Sequence, residues 1–427
     1  MRLIAPKITN FLILIAWVTL LSSCQKAEST ALKFSTPMSS SVDKEINMYE
    51  KAVENNPKNS TSLVSLGHLY LQKIRETADI SYYGKIESLM DKAESIDASN
   101  PDTYALKAQV LLGKHQFSKG NSLIKKSIAL SPSHTSYYGI LGDSEIELGN
   151  YTGAVAAFQK MVDIRPDYNS YVRIAYIREL YGDIAGAEES LKLALRAGSA
   201  IPENIAFVHV ELGKLAMRKS LEEAKVEFII ALETLVSYPP ALEWLGKVAY
   251  FEGDYSWAKT YFKKASSSLP IAQYLINQAD LATLQWEISE TQQMLTLTEL
   301  SFDSSSKTWE DNHLELSSFL LKHDREKRLA LEKALLAYES RQNIYTADNL
   351  AWAYYKNDRI EEALELRSEA LKLGEADALI LYHQGMISLK NNNREEARKY
   401  LSWALTINPY FSLLDSRKAR DTLNSLQ

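Results

Sequence analysis

The residue best placed for chemistry is Cys24, the only cysteine in a chain of 427 residues. It follows an apolar run at 11–21 (FLILIAWVTLL) and the short stretch Leu21-Ser22-Ser23. A lone thiol excludes an internal disulfide. Nothing else in the chain reads as a reactive constellation. The seven histidines, at 68, 115, 134, 209, 313, 323 and 383, are scattered. There is no Gly-rich phosphate loop, G-x-S-x-G or H-E-x-x-H. Acidic pairs such as Glu222-Glu223, Glu361-Glu362 and Glu395-Glu396 open helical segments, where they favour the positive end of the helix dipole. These features predict no enzyme, no cofactor and no metal site.

Around Cys24 the chain reads as an export signal: Arg2 and Lys7 without an acid, an apolar centre, then small residues. The apolar run is shorter than the roughly 20 residues a spanning helix needs. Leu-Ser-Ser-Cys resembles the bacterial lipobox, which implies a signal peptide over 1–23 and a diacylglycerol-modified Cys24. Several acyl chains would anchor such a protein stably. Gln25 follows the cysteine, where Asp favours inner-membrane retention in some Gram-negative bacteria. The expected location is therefore the outer membrane, facing the periplasm. Loss of Arg2 and Lys7 would move the net charge from −6 to −8. That balance, with no long basic block, argues against nucleic acid as a partner. Residues 24–44 are expected to form the lipidated cysteine and a polar, Ser/Thr-rich tether.

The remainder must position any binding surface, and it is repetitive. Apolar residues make up 46%, while Gly (16) and Pro (11) are scarce, which favours packed helices. Residues 101–134, 135–167 and 168–201 align at a period of about 33–34. A large residue (Tyr104, Tyr138, Tyr171) is followed four later by a small one (Ala108, Gly142, Ala175). His115, Gly149 and Gly182 mark a turn. Then come small (Gly120, Ala154, Ala187), large (Ile124, Phe158, Leu191) and again small positions (Ser127, Ala194), with Met161 breaking the rule. Two antiparallel helices of about fourteen residues explain the pattern: small residues let the backbones approach and large ones fill the gaps. One unit cannot bury its apolar face alone, so neighbours must stack.

These units resemble the tetratricopeptide repeat, which implies an all-α, right-handed superhelical solenoid of antiparallel helix pairs. Further units begin near 59, 206, 239, 344 and 378, and one or two degenerate units over 272–343 bring the total to about ten. The body, with segments such as IRELYGD and ADNLAWAYYKNDRIEEAL, also resembles a group of bacterial tetratricopeptide proteins without an assigned activity. The expected organisation is an N-terminal array over 45–271, degenerate helical repeats over 272–343, and a C-terminal pair with a capping helix over 344–427. Ser301–Ser306 (SFDSSS) reads as a loop.

The family resemblance implies a concave groove lined by the first helices, where protein or peptide ligands bind. Its inward positions here are Arg173, Tyr176, Trp244, Lys247, Tyr250, Asn349, Trp352, Tyr355, Tyr382, His383 and Met386. Aromatic rings among scattered charges are the makings of a binding hot spot. The alternative is that these rings pack on neighbouring repeats or on the C-terminal segment. At the level of function, three readings compete. The first is an envelope-anchored scaffold or adaptor for a protein partner. The second is a structural subunit of an outer-membrane or pilus-type assembly complex. The third is an enzyme with its site in 272–343.

Overall fold

A computed structural model describes residues 41–77, 79–306, 311–374 and 376–426. The signal segment, Cys24 and most of the expected tether lie outside the described residues. Helix α1 (Ser41–Asn55) leads into the body. The polar stretch expected to run to residue 44 is thus helical from Ser41, because Val42 and Ile46 are buried against the first pair.

Helix pairs follow in chain order. They are α2 (Ser60–Thr77) with α3 (Tyr82–Ile96), α4 (Pro101–Gly113) with α5 (Phe117–Leu130), and α6 (Thr135–Glu147) with α7 (Tyr151–Ile164). Next come α8 (Tyr168–Leu180) with α9 (Ile184–Ala197), α10 (Pro202–Met217) with α11 (Leu221–Thr234), and α12 (Pro239–Phe251) with α13 (Tyr255–Ser268). Then α14 (Ala272–Leu284) pairs with α15 (Ile288–Ser306), and α16 (His313–Lys322) with α17 (Lys327–Ser340). In the next pair, α18 (Ile344–Lys356) meets a second helix broken at Leu366 into α19 (Ile360–Glu365) and α20 (Arg367–Ala370). The last pair is α21 (Ala378–Lys390) with α22 (Arg394–Ile407), and α23 (Asp415–Ser425) caps the array. No strand occurs among the described residues.

Small-against-large packing holds the pairs together. A Cβ built on Gly142 would lie 2.2 Å from the Phe158 ring, on Gly213 2.3 Å from Phe228, and on Gly246 2.4 Å from Phe262. Each ring is buried over the glycine of its partner helix. Most first helices end with a left-handed residue, such as Gly149 (φ 73°) or Gly253 (φ 85°). The next amide then donates to the carbonyl five residues back, as Asn150 does to Glu145 at 2.8 Å.

Ser301–Ser306 is not a loop: it continues α15. Phe302 is buried with its ring 5.8 Å from that of Phe319, and this tertiary contact overrides the weak helical preference of serine.

Contacts also join repeats far apart in the chain. Arg341 donates to Glu147 at 2.9 Å across 194 residues and lies 4.9 Å over the Phe117 ring. Asn343 donates to the Glu147 carbonyl at 3.0 Å, and the Ile344 amide donates to the Tyr151 hydroxyl at 2.9 Å. Beneath them Ile146, Phe158, Leu180, Ile344, Ala370 and Ile380 form one apolar cluster. The body therefore winds until the α6–α9 region meets the α17–α21 region, so the first helices of the later repeats face a shared interior.

Candidate functional site

That interior holds a cavity of about 490 Å³. Five successive first helices wall it. Lys247 and Phe251 come from α12, Ile276 and Asn277 from α14, Ser318 and Lys322 from α16, Asn349 and Trp352 from α18, and Leu379 and His383 from α21. The segment Tyr410–Asp415 closes one side. It is held there by Tyr410, whose ring lies 4.9 Å from Phe251, and by Leu413, buried among Ala249, Phe262 and Leu281.

The cations at the cavity are paired within the chain. Lys247 bonds Glu243 at 2.7 Å, Lys322 bonds Asp280 at 2.5 Å, and Lys356 bonds Asp324 at 2.7 Å. Burial pushes the Asp280 carboxyl up, but the charge of Lys322 and the neighbouring His323 ring, 3.3 Å away, outweigh it. The net effect holds Asp280 below the ordinary carboxylate range. Glu243 follows the same logic: burial raises it, and Lys247 with the amides of Gln273 and Asn277 brings it below normal. With its charges balanced, the cavity has no general attraction for a polyanion.

The aromatic wall is built on Trp352, which stacks on His383 (4.1 Å between ring centroids, 16°) and on Tyr355 (4.4 Å, 8°). Asp348 fixes His383 through Nδ1 at 2.7 Å. Beside it, Asn349 donates to Ser318 Oγ at 2.8 Å. The second carboxylate oxygen of Asp348 and the amide oxygen of Asn349 have no hydrogen-bond partner in the described structure. The site thus combines apolar walls with amide side chains bonded within the chain and two buried acceptors without a partner. Among the described residues no group of three or more His, Cys, Asp or Glu is placed to hold a metal ion.

Of the groove residues read from the sequence, Lys247, Asn349, Trp352 and His383 line this cavity. Tyr382 lies behind it, fully buried between Trp352 and Phe411, and burial pushes its hydroxyl well up. Tyr355 and Met386 are half-buried in the same cluster. Tyr250 packs between Phe251 and Tyr255, and Trp244 stacks on Phe228 under Lys247. Arg173 is bound to Asp143 at 2.7 Å, away from the cavity. Tyr176 borders a smaller void of about 150 Å³ with Tyr345, Lys214 and Asp377, at the seam between distant repeats.

Asn277, Asp280, Ser318 and Lys322 also line the cavity and are not among the inward positions expected from the repeat. They sit in the stretch where the repeat pattern fades. Their signal was the fading itself: polar residues where a first helix ordinarily carries small or apolar ones.

A family model described as tetratricopeptide repeat matches residues 106–169 and 349–410. These two stretches are similar to the tetratricopeptide repeat. They span α4–α7 and α18–α22, the latter including the α18 and α21 walls of the cavity. Among solved structures, the human IFIT1 dimer with PPP-AAAA is similar, with a TM-score of 0.47 and 16% identity over 85% of this chain and 86% of that one. Yeast Tom70 has a TM-score of 0.38 and 15% identity over 90% and 92%. PilW, a type IV pilus biogenesis factor, has a TM-score of 0.38 and 17% identity over 48% and 94%. These likenesses concern the fold. No curated protein matches the chain in sequence.

Proposed function

We propose that this helical-repeat protein is an envelope-anchored scaffold that holds an extended segment of a partner protein in the α12–α21 cavity. The observation that carries the reading is the lining. Asn277, Gln273 and Asn349 present amides beside Ile276, Leu379 and Phe302, all within one cavity of about 490 Å³. An extended peptide would exchange backbone hydrogen bonds with these amides, which now bond Glu243 and Ser318, and would seat its side chains on the apolar walls. The internally paired lysines favour a segment without strong net charge. Anchoring rests on the lipobox-like Leu21-Ser22-Ser23-Cys24, and the outer membrane facing the periplasm is the proposed location.

A photo-crosslinking residue at Leu379 or Tyr345, both partly exposed at the cavity, is expected to capture one protein in the native host. The same residue at Val155, exposed outside the cavity, is expected to capture none. An identical set of products from all three positions would overturn the assignment. Cys24→Ala is expected to abolish fatty-acid labelling and to release the protein from membranes. Labelling that persists would overturn the anchor.

A further inference from the structure

Eight of the helix pairs use one turn between their helices. The left-handed position is His115, Gly149, Gly182, Gly253, Trp286, Asp324, Asp358 or Asn392, with φ between 53° and 85°. In each the following amide donates to a carbonyl five residues back, as Glu287 does to Ala282 at 2.9 Å and Asn393 to Ser388 at 2.9 Å. Glycine takes this conformation freely, and Asn, Asp and His are enriched there. A tryptophan has no such tolerance, so its backbone is strained at φ 61°.

Among the described residues, the Trp286 side chain gains almost no burial in return. Trp286 is 87% exposed and Ile288 81%, while the next most exposed large apolar residues among those described reach only 58%. The two side chains form a protruding tip at the α14–α15 turn. Tyr255 and Trp257, about half exposed, open the second helix of the preceding repeat. Lys259 of that helix bonds Glu287 at 3.0 Å and Glu290 at 2.6 Å. These bonds tie the tip to α13 and neutralise part of its acidity.

We propose that Trp286 and Ile288 insert into the headgroup layer of a lipid bilayer and dock the body on the membrane that carries its anchor. A convex, almost fully solvated tip needs no shaped pocket in a fluid interface, whereas a protein partner would have to provide one. Indole and phenol rings favour that interface because one end is apolar and the other polar. The sixteen residues between Cys24 and Ser41 reach up to about 55 Å when extended, enough for the body to return to its own bilayer. The proposal therefore rests on the anchoring proposed above.

The test uses the full chain reconstituted in phosphatidylethanolamine/phosphatidylglycerol liposomes. An environment-sensitive fluorophore is placed on Ser289→Cys, exposed beside the tip, or on Ser133→Cys, exposed in a loop between repeats. Nitroxide-labelled lipid serves as quencher, and mass spectrometry of the same sample reads acylation of Cys24. The expected result is a blue-shifted, quenched probe at 289 and an unquenched one at 133. Trp286→Ala/Ile288→Ala is expected to lower the inserted-to-free ratio at 289 at least about tenfold. An acylated chain whose 289 probe stays in water overturns the docking tip and leaves the anchor standing. That outcome also covers a tip that binds protein. Equal quenching at 133 overturns it as well. A 289 probe quenched in a chain without acyl groups keeps the tip and overturns the anchor.

Discussion

Gly149 faces the backbone of Gln342 so closely that a Cβ built on it would lie 2.0 Å from the Gln342 carbonyl oxygen. This glycine meets two separate demands. Its φ of 73° ends α6, and its bare Cα lets a repeat nearly two hundred residues away close onto the turn.

Gly149→Ala is therefore expected to cost more than an equivalent change elsewhere. Gly253 has the same left-handed backbone (φ 85°) but open space around it. Gly253→Ala should lose about 1–2 kcal/mol, the penalty for a left-handed alanine. Gly149→Ala adds a backbone clash to that penalty. Urea midpoints of the two variants check the order, and small-angle scattering should show a larger radius of gyration for Gly149→Ala alone.

Within a pair, Phe158 fills the space above Gly142. Phe158→Ala should lose about 3–5 kcal/mol through the cavity it leaves. Gly142→Ala should lose about 1–3 kcal/mol through overpacking against a ring with nowhere to move. Double-mutant denaturation tests whether they are one contact. Because the ring and the added methyl compete for the same space, Gly142→Ala should cost less in the Phe158→Ala background.

Asp280 stands at the cavity wall, below the ordinary carboxylate range once Lys322 and His323 outweigh burial. Its ionised form is favoured on folding. The stabilisation is complete above the unfolded value near pH 4 and is lost as pH falls through the depressed folded value. Asp280→Asn leaves Lys322 without its bonded carboxylate and should cost about 3 kcal/mol at pH 7. The difference from the parent should shrink below pH 4, as read from denaturation midpoints against pH.

Asp377 has the opposite sign. Burial, reinforced by the charge of Asp348, raises its carboxyl above normal. The protonated form is favoured on folding, so the contribution is largest below the ordinary value and falls as pH rises through the raised one. Its Oδ1 accepts from the Leu379 and Ile380 amides at 2.8 and 3.0 Å, and an asparagine oxygen can do the same. Asp377→Asn should leave the thermal midpoint at pH 7 unchanged or raised, with the difference gone near pH 3. A clear loss at pH 7 would contradict it.

The groove residues show where sequence reasoning met its limit. Inward-facing positions predicted Lys247, Asn349, Trp352 and His383 at a common site, and these line one cavity. The same rule placed Tyr382 and Arg173 in a groove, yet Tyr382 is sealed under Trp352 and Phe411, and Arg173 is held by Asp143. A position in the repeat tells which way a side chain starts out. It does not tell what later segment arrives on top of it.

The sequence by itself determined the helix pairs, their turns and their small-against-large packing. Gly142 under Phe158 and the turn at Gly149 involve residues within one unit, so every repeat writes the same signal again. Only the tertiary structure decided how far the array winds. That depends on small rotations summed over many repeats, and it is sealed by contacts that occur once, such as Gly149 with Gln342 and Glu147 with Arg341. A single contact between distant segments leaves no period to read. It nonetheless makes the interior that gathers Lys247, Asn277, Lys322 and Asn349 around one cavity.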